Sequence, residues 1–257
     1  ILATRFTSTK HIAWEHFNFY ENNGSSLRAL ARKIDAKCSD YIITLTEEDK
    51  NNYLNNLKII GKIDYIYNPM EIKEVKKCSL HSKQIVSVGR LTYQKGFDML
   101  IDVAKDVLEK NKEYKWLILG DGEDKNRLQE KINKYNLQDR LILKGKVSNV
   151  EDYYKNSSLY VMTSRFEGLP MTLLEAKSYK MPIVSFDCPT GPSEIIRNNI
   201  NGYLVKANDI KEMSNKVNSV LQDDKKLKEF SDKAELDIDK FNINSIIDKW
   251  TSLLVSI

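Results

Sequence analysis

The sequence contains little cysteine, proline and histidine, and it lacks any long uninterrupted run of apolar residues. Its three cysteines lie far apart without C-x-x-C spacing, and an odd count leaves at least one thiol unpaired. The apolar runs stay well below the roughly 18 residues that a membrane-spanning helix needs, and no leader-type apolar core is present. These features favour a folded protein from a reducing, cytoplasmic compartment.

The charge balance excludes a strongly basic protein. Lysine and arginine number 40 against 36 aspartate and glutamate, so the net charge is +4, and the basic residues are scattered through helical stretches. This distribution falls well short of a nucleic-acid-binding surface. We therefore expect no nucleic-acid partner. A mildly basic surface agrees with an anionic substrate and with peripheral contact at the inner face of a membrane.

From residue 83 onward, short apolar runs of strand type alternate with amphipathic stretches of helical length. This alternation is typical of repeated βα units around a buried parallel sheet, and it predicts one doubly wound α/β domain over residues 83–238. The predicted strands cover residues 84–91, 116–119, 141–144, 159–163, 182–186 and 203–205.

Upstream, the pattern supports only about three βα steps, with strands at residues 12–14, 41–45 and 64–67 and helices at residues 26–37 and 47–57. That is too few strands for an independent doubly wound sheet. We expect residues 1–68 to be the C-terminal part of a first Rossmann-like domain in an N-terminally truncated chain, and residues 69–82 to be a linker. Residues 239–257 carry the apolar stripe of a helix that must pack against something, and we expect it to return towards the first domain.

Gly120 and Gly122 follow a predicted strand in the way that a dinucleotide fingerprint does. Lys125 occupies the position of the third glycine, however, which argues against a nicotinamide site. A tight turn between strand and helix is the simpler interpretation.

A second motif, from Gly89 to Gly96, places Arg90 and Lys95 just after a strand. Open α/β sheets bind ligands at the carboxyl ends of their strands, and two cations with a glycine at one strand end suit a diphosphate. The alternative is a pair of solvated loop charges.

A third motif begins with Glu167 and Gly168 and continues through Leu169 and Pro170 towards a predicted helix. Proline suits the first helical turn, and the free N–H groups at the start of the helix form an anion pocket. Glu175 follows Glu167 by eight residues, which would span about 12 Å if wholly helical, close to the distance from hexose to ribose in a nucleotide sugar. The alternative is one N-capping acid and one acid on the helix surface.

Together these motifs resemble a retaining glycosyltransferase of family 4, whose GT-B architecture consists of two facing Rossmann-like domains. The resemblance covers residues 83–222 in detail and the remainder more loosely. It is carried by Gly89-Arg90-Leu91 with Lys95-Gly96, by LILGDGED, by the E-x7-E pair in FEGLPMTLLEA, and by Gly191-Pro192-Ser193-Glu194 before NGYLV.

The resemblance implies a role for each matching residue. Arg90 and Lys95 would neutralise the donor diphosphate, so that neither a metal nor another cofactor is required. Glu167 would face the transferred sugar and act with these cations in catalysis. The implied donor-binding residues are Gly89, Gly168, Leu169, Pro170 and Glu175, the last of which would take the ribose hydroxyls.

His16, in Trp14-Glu15-His16, resembles the histidine that in this family reaches the donor sugar across the cleft, and an imidazole can donate a hydrogen bond there. The alternative is a structural histidine. Cys188 is expected to be a core thiol rather than a nucleophile. The D-x-D sequence of Asp237 and Asp239 is not expected to bind metal.

The resemblance implies transfer of a hexose or N-acetylhexosamine from a UDP-sugar to a saccharide or lipid-linked saccharide, with anomeric retention. A composition rich in lysine, asparagine and isoleucine suggests a bacterial surface-polysaccharide pathway. Two alternatives remain open. One is another GT-B enzyme, such as a nucleotide-sugar epimerase or a phosphorylase-like protein, and the other is a nucleotide-sugar-binding module without turnover.

Overall fold

The computed structural model describes residues 8–21, 26–71 and 77–257, so the predicted start of the chain and residues 72–76 of the predicted linker lie outside the described residues. The described chain forms two parallel sheets with helical connections, which is the predicted α/β class. The first sheet has three strands in chain order. Its elements are β1 (Ile12–Trp14), α1 (Ser26–Cys38), β2 (Tyr41–Thr44), α2 (Glu47–Asn56) and β3 (Lys62–Tyr65).

The second sheet has six parallel strands, and along the chain these strands alternate with helices, as predicted. They are β4 (Gln84–Val88), α3 (Phe97–Lys110), β5 (Lys115–Leu119), α4 (Lys125–Lys134), β6 (Leu141–Gly145), α5 (Val150–Lys155), β7 (Leu159–Met162), α6 (Met171–Ser178), β8 (Ile183–Asp187), α7 (Pro192–Ile195), β9 (Tyr203–Lys206) and α8 (Ile210–Leu221). They are followed by α9 (Asp224–Asp232) and α10 (Ile243–Val255).

The strand order of the second sheet, β6-β5-β4-β7-β8-β9, fixes where a ligand can enter. The chain moves outward from β4 to one edge of the sheet and then returns to β7, which lies beside β4. The loops that follow these two strands therefore diverge, and they open a crevice at the carboxyl edge of the sheet. This is the topological switch point at which doubly wound folds bind ligands.

Apolar residues on both faces of β4 and β7 explain why these strands lie at the centre of the sheet. Ile85 and Val86 are fully buried, and every residue of β7 is buried. Parallel strands covered by helices on both faces read as continuous apolar runs. Among the described residues, no helix combines the length and the apolar character that crossing a membrane requires.

Two strands, β3 and β4, differ from the predicted bounds by two residues or more, and one helix was not predicted. β3 begins at Lys62 because Lys62 pairs with Tyr41 at the sheet edge, where a charged side chain can remain in solvent. β4 ends at Val88, before the loop that carries Arg90. α9 is a separate helix that the sequence analysis did not identify, and Asp223 begins it by accepting hydrogen bonds from the first-turn N–H groups.

The C-terminal helix α10 lies beside the first sheet. Ile246 and Leu253 are buried in one apolar cluster with Ile66, and Trp250 makes an edge-to-face contact with Trp14 at 5.0 Å between ring centroids. The chain segments that connect the two sheets run side by side, because the N–H of Met70 donates to the carbonyl of Phe241 at 2.8 Å. The exact domain boundaries stay predictions.

Candidate functional site

Two loops at the switch point, residues 89–96 after β4 and residues 163–170 after β7, are held together by backbone contacts. The N–H of Arg165 donates to the carbonyl of Gln94 at 2.8 Å, and the Gln94 amide donates to the carbonyl of Phe166 at 3.1 Å. Gly96 has a φ of 63°, and a Cβ there would lie 2.1 Å from the Thr163 oxygen. Only glycine permits this approach, so the two loops form one rigid wall of the crevice.

Lys95 and Glu167, which the sequence predicts at one site, form an ion pair with 2.6 Å between Nζ and Oε1. Glu167 is only 5% exposed, although an exposed carboxylate would be typical of a loop. Its N–H also donates to the carbonyl of Pro189 at 2.8 Å. A buried carboxylate needs a cationic partner, which here is the Lys95 ammonium. Because this ammonium has three N–H donors, Lys95 can bind Glu167 and an anionic ligand at the same time.

Arg165 fixes the outer side of the same wall, a role that sequence reasoning did not assign. Its guanidinium forms a two-pronged pair with Asp98 at 2.8 and 2.7 Å and stacks on Tyr93 at 4.0 Å from the ring centroid. Burial by itself would raise the pKa of Asp98, but the hydrogen bonds and charge of Arg165 hold that pKa below its ordinary value. The carboxylate is therefore permanently paired, and the Lys95 loop is anchored at its base.

His16 faces this wall from the first sheet. A Cβ on Gly168 would lie 2.7 Å from the backbone oxygen of His16. The two units, which are the first sheet and the second sheet with their helices, therefore touch at this glycine. The exposed imidazole of His16 packs against Trp14 with 4.4 Å between ring centroids. Between the units lies a cleft of about 220 Å³. His16, Glu167 and Gly168 line it together with Phe17, Asn18, Glu21, Asn68, Gln94 and Leu169.

A buried arginine, Arg32, holds the loop that carries His16 in place through hydrogen bonds. Arg32 is 3% exposed, and it contacts Glu15 at 3.4 Å and the carbonyl of Asn18 at 2.9 Å. Glu15 also accepts a hydrogen bond of 2.8 Å from the hydroxyl of Tyr53. No sequence motif predicts this network, because Arg32 lies on an ordinary amphipathic helix. Its effect is to fix the first-domain side of the cleft.

Asp49 supports the same loop by accepting a hydrogen bond of 2.8 Å from the N–H of Phe19. Its side chain is 3% exposed, and burial raises its pKa to about 6. This carboxyl group therefore binds a proton more tightly in the folded chain than in the unfolded one.

Lowering the pH from about 7 to about 4.5 is expected to increase the contribution of Asp49 to the free energy of unfolding. Between its ordinary pKa of 3.8 and its folded pKa of about 6, the native state holds the proton and the unfolded state does not. The contribution of Asp49 to the free energy of unfolding therefore changes by at most about 1.4 kcal/mol per pH unit. Urea unfolding of wild type and Asp49→Asn across this range isolates the effect, since other carboxyl groups are common to both. A stability difference that does not vary with pH would contradict the expectation.

Arg90 and Gly89 lie at the carboxyl end of β4, where the sequence places them. Arg90 is exposed, and the N–H of Gly89 continues the pairing with β5 by donating to Leu119 at 2.9 Å. Gly120 and Gly122 lie directly against this loop, since a Cβ on either would come within 1.9 Å of the Gly89 oxygen or 2.3 Å of the Leu91 oxygen. These glycines thus support the Arg90 loop, in addition to forming the expected turn.

The sequence predicts Pro170 in the first helical turn. In the structure it is instead the N-cap residue that immediately precedes α6, and its backbone is extended. Residues 167–170 are consequently not helical, and the 12 Å helical span does not apply to the pair of carboxylates. Glu175 lies on α6 and is half-buried. Its Oε2 accepts a hydrogen bond of 2.8 Å from the hydroxyl of Tyr154, and burial raises its pKa.

A third loop, residues 188–191, closes the back of the site. The hydroxyl of Thr190 lies 3.0 Å from the carbonyl oxygens of both Glu167 and Gly168 and donates to them. Gly191 has a φ of 99°, and a Cβ there would lie 2.5 Å from the Pro170 ring. The backbone around Glu167 is therefore enclosed on two sides.

Glu194, at the end of the motif beginning with Gly191, connects the two units. Its Oε1 accepts hydrogen bonds from the N–H groups of Glu47 and Glu48 at 2.9 and 3.2 Å, in the first turn of α2. Its Oε2 accepts a hydrogen bond of 2.6 Å from the hydroxyl of Tyr67. A carboxylate at a helix N-terminus is favourable, so this contact stabilises the relative position of the two sheets.

Cys188 is 2% exposed, and burial raises the pKa of its thiol, as expected of a core residue rather than a nucleophile. Asp237 is paired with Arg197, at 2.7 Å between Oδ1 and Nη2. In the described ranges, no three His, Cys, Asp or Glu side chains are grouped so that they could hold a metal. Metal independence remains a prediction.

Residues 70–237 match the family described as glycosyl transferases group 1. The chain belongs to this family. It is 34% identical over 262 residues to the amylovoran biosynthesis glycosyltransferase AmsD of Erwinia amylovora, covering 98% of this chain and 71% of that protein. It is 33% identical over 216 residues to the poly(ribitol-phosphate) alpha-N-acetylglucosaminyltransferase of Staphylococcus aureus, covering 84% of this chain and 44% of that protein.

Among solved structures, a variant of S. aureus TarM in complex with fondaparinux, alpha-GlcNAc-glycerol and UDP matches with a TM-score of 0.87 and 30% identity. The match covers 95% of this chain and 50% of TarM, so the chain spans half the length of that relative. The GT-B fold class predicted from the sequence is confirmed by such neighbours. The expected enzyme class agrees with the names of these relatives, which are glycosyltransferases.

Proposed function

We propose that this chain belongs to a retaining glycosyltransferase of family 4 that moves a hexose or N-acetylhexosamine from a UDP-sugar to a saccharide or lipid-linked saccharide. The observation that carries the proposal is the buried Lys95–Glu167 pair at the switch point, which lies opposite His16 across a cleft of about 220 Å³. The cleft has room for a sugar ring, and polar side chains form most of its wall. The AmsD relative supports a role in synthesis of a bacterial surface polysaccharide, and the UDP bound by TarM supports a UDP-linked donor.

Departure of the anionic diphosphate is the difficult step of such a transfer. Negative charge grows on the leaving phosphate while the sugar becomes oxocarbenium-like. Arg90, Lys95 and the N–H groups at the start of α6 stabilise that charge more in the transition state than in the ground state. Glu167 holds the Lys95 ammonium in place and presents its carboxylate to the developing positive charge.

Retention follows, in this proposal, from attack on the face that the diphosphate leaves. None of the site carboxylates is assigned as a nucleophile. We extend to this chain the mechanism usually described for the family, in which a donor phosphate oxygen takes the proton from the acceptor hydroxyl. His16 donates a hydrogen bond to a hydroxyl of the transferred sugar across the cleft.

The purified protein is expected to release UDP from a UDP-sugar when a saccharide acceptor is added, and to do so equally well in EDTA. The physical reason is that Arg90, Lys95 and a helix N-terminus meet the diphosphate charge without a divalent ion. UDP release from UDP-glucose, UDP-galactose and UDP-GlcNAc, with and without acceptor and chelator, measures this.

Each other result of that experiment supports a different interpretation. Conversion of the donor without acceptor favours an epimerase, and tight UDP binding without product favours a binding module. Loss of activity in EDTA that manganese restores would contradict metal independence.

A further inference from the structure

Asn18 lies in the loop between β1 and α1 and lines the cleft with His16 and Glu167. The residue is 2% exposed. Its Oδ1 accepts a hydrogen bond of 2.8 Å from the N–H of Tyr20, and its backbone oxygen accepts one of 2.9 Å from Arg32. Its Nδ2 has no hydrogen-bond partner among the described residues. The side-chain amide of Asn18 therefore has a donor that no described group satisfies.

A buried donor without a partner is uncommon in folded proteins, because burial removes water without replacing its hydrogen bond. Here the network around Arg32 and Asp49 holds the loop in place, so that Asn18 is not free to turn towards solvent. Because Asn18 belongs to the wall of the cleft, a ligand that enters the cleft is a candidate partner for this donor.

The other polar groups of the cleft show which ligand chemistry is complementary. The carboxylate of Glu167 only accepts hydrogen bonds when ionised, and the Gln94 amide nitrogen already donates to Phe166. A sugar hydroxyl both donates and accepts, so it needs a donor from the protein as well as an acceptor. Asn18 is one of the cleft-lining residues, with His16 and Asn68, whose side chain can provide that donor.

We propose that Nδ2 of Asn18 donates a hydrogen bond to an oxygen of a saccharide in this cleft, and that Asn18 is thereby a sugar-recognition residue. The proposal rests on the proposed function, since it requires a sugar at the Glu167 wall. The oxygen belongs either to the transferred sugar or to the acceptor, and both are hydroxyl or N-acetyl oxygens. Binding measurements with each ligand separate these two sources.

Asn201 offers a matched control. It is 3% exposed, its Oδ1 accepts a hydrogen bond of 2.9 Å from the N–H of Arg197, and its Nδ2 has no partner in the described part of the chain. The two asparagines thus share burial, a local turn contact and a lone donor. They differ because Asn201 does not line the cleft.

The test compares wild type, Asn18→Ala, Asn18→Ser and Asn201→Ala by calorimetric titration, with the melting temperature of each unliganded protein as a check on folding. Serine keeps an oxygen for the Tyr20 N–H and removes the amide donor. The first set of titrations compares the affinity of each protein for UDP with its affinity for UDP-glucose, UDP-galactose and UDP-GlcNAc. The second set titrates methyl glycosides of the same sugars in the presence of saturating UDP.

Both Asn18 variants are expected to bind the UDP-sugar about 3- to 10-fold more weakly than wild type while binding UDP normally, if the transferred sugar is the partner. If only the binding of methyl glycosides is weakened, the Nδ2 group of Asn18 hydrogen-bonds to the acceptor sugar. Asn201→Ala is expected to lower the melting temperature without changing either affinity.

Unchanged affinities in both sets of titrations would overturn the role of Asn18, as would an equal loss for UDP and UDP-sugar, which indicates a structural effect. Failure of the wild-type protein to bind any of these nucleotides would instead contradict the proposed function, and the Asn18 proposal with it. The two failures are therefore distinguishable.

Discussion

Replacing Lys95 with methionine is expected to reduce sugar transfer by about 100- to 1,000-fold, the range found when one preorganised donor to a developing oxyanion is removed. The same change leaves the Glu167 carboxylate, which is only 5% exposed, without its partner at 2.6 Å. Removing one member of a buried ion pair costs about 3 kcal/mol or more. Lys95→Met should therefore lower both turnover and the free energy of unfolding.

A double-mutant cycle separates the two effects. Glu167→Gln keeps the shape of the side chain and removes the buried charge, so Lys95→Met combined with Glu167→Gln is expected to recover much of the lost stability without recovering transfer. Lys110→Met is a suitable control, because Lys110 pairs with Asp106 at the surface and half of its side chain is exposed. Such exposed pairs contribute about 0.5 kcal/mol or less.

Urea unfolding and UDP release provide the two measurements for the four proteins of the cycle and the control. Near-normal turnover by Lys95→Met would remove this lysine from the site. Additive stability losses from the two single changes would show that the ion pair is not energetically coupled in solution.

Much of the fold follows from local patterns in the sequence. The continuous apolar run in β7 and the alternation of strands with amphipathic helices predict a buried parallel sheet. The strand-end positions of Arg90 and Glu167 then follow, because parallel strands end at one edge. What the pattern cannot give is the strand order, since it depends on which strands pair through space. That order is what brings the β4 and β7 loops together.

The supporting residues of the site are harder to predict for a related reason. Arg32 is separated from Glu15 by 17 residues, and Glu194 from α2 by nearly 150, so neither contact leaves a periodic signal. An asparagine in a loop is ordinary, and the orphan donor of Asn18 becomes apparent only when its neighbours are placed around it. Local sequence identifies groups that act on a ligand at strand ends, whereas the residues that hold those groups depend on tertiary packing.

Replacing Glu175 with alanine is expected to reduce the affinity for UDP and for a UDP-sugar alike, by about 10- to 100-fold. The expectation follows from the proposed contact with the ribose, since a hydrogen bond to a charged group contributes about 1.5 to 3 kcal/mol and two hydroxyls share this carboxylate. The discrimination between ribose and 2′-deoxyribose donors should fall as well. Titration calorimetry with UDP and 2′-deoxy-UDP measures both.

The contact between Tyr154 and Glu175 provides the controls and a pH dependence. Tyr154→Phe removes only the 2.8 Å hydrogen bond to Oε2, so its effect on affinity should be small, whereas Glu175→Gln keeps that bond and removes the charge. Burial raises the pKa of Glu175, so protonation begins at a higher pH than for an exposed glutamate. Wild-type affinity for UDP should therefore decrease more steeply than that of Glu175→Gln as the pH falls towards that pKa, since protonation of the UDP phosphate weakens both proteins alike. If Glu175→Ala binds UDP normally and keeps the full preference for ribose, the diol is held elsewhere and the nucleotide does not lie along α6.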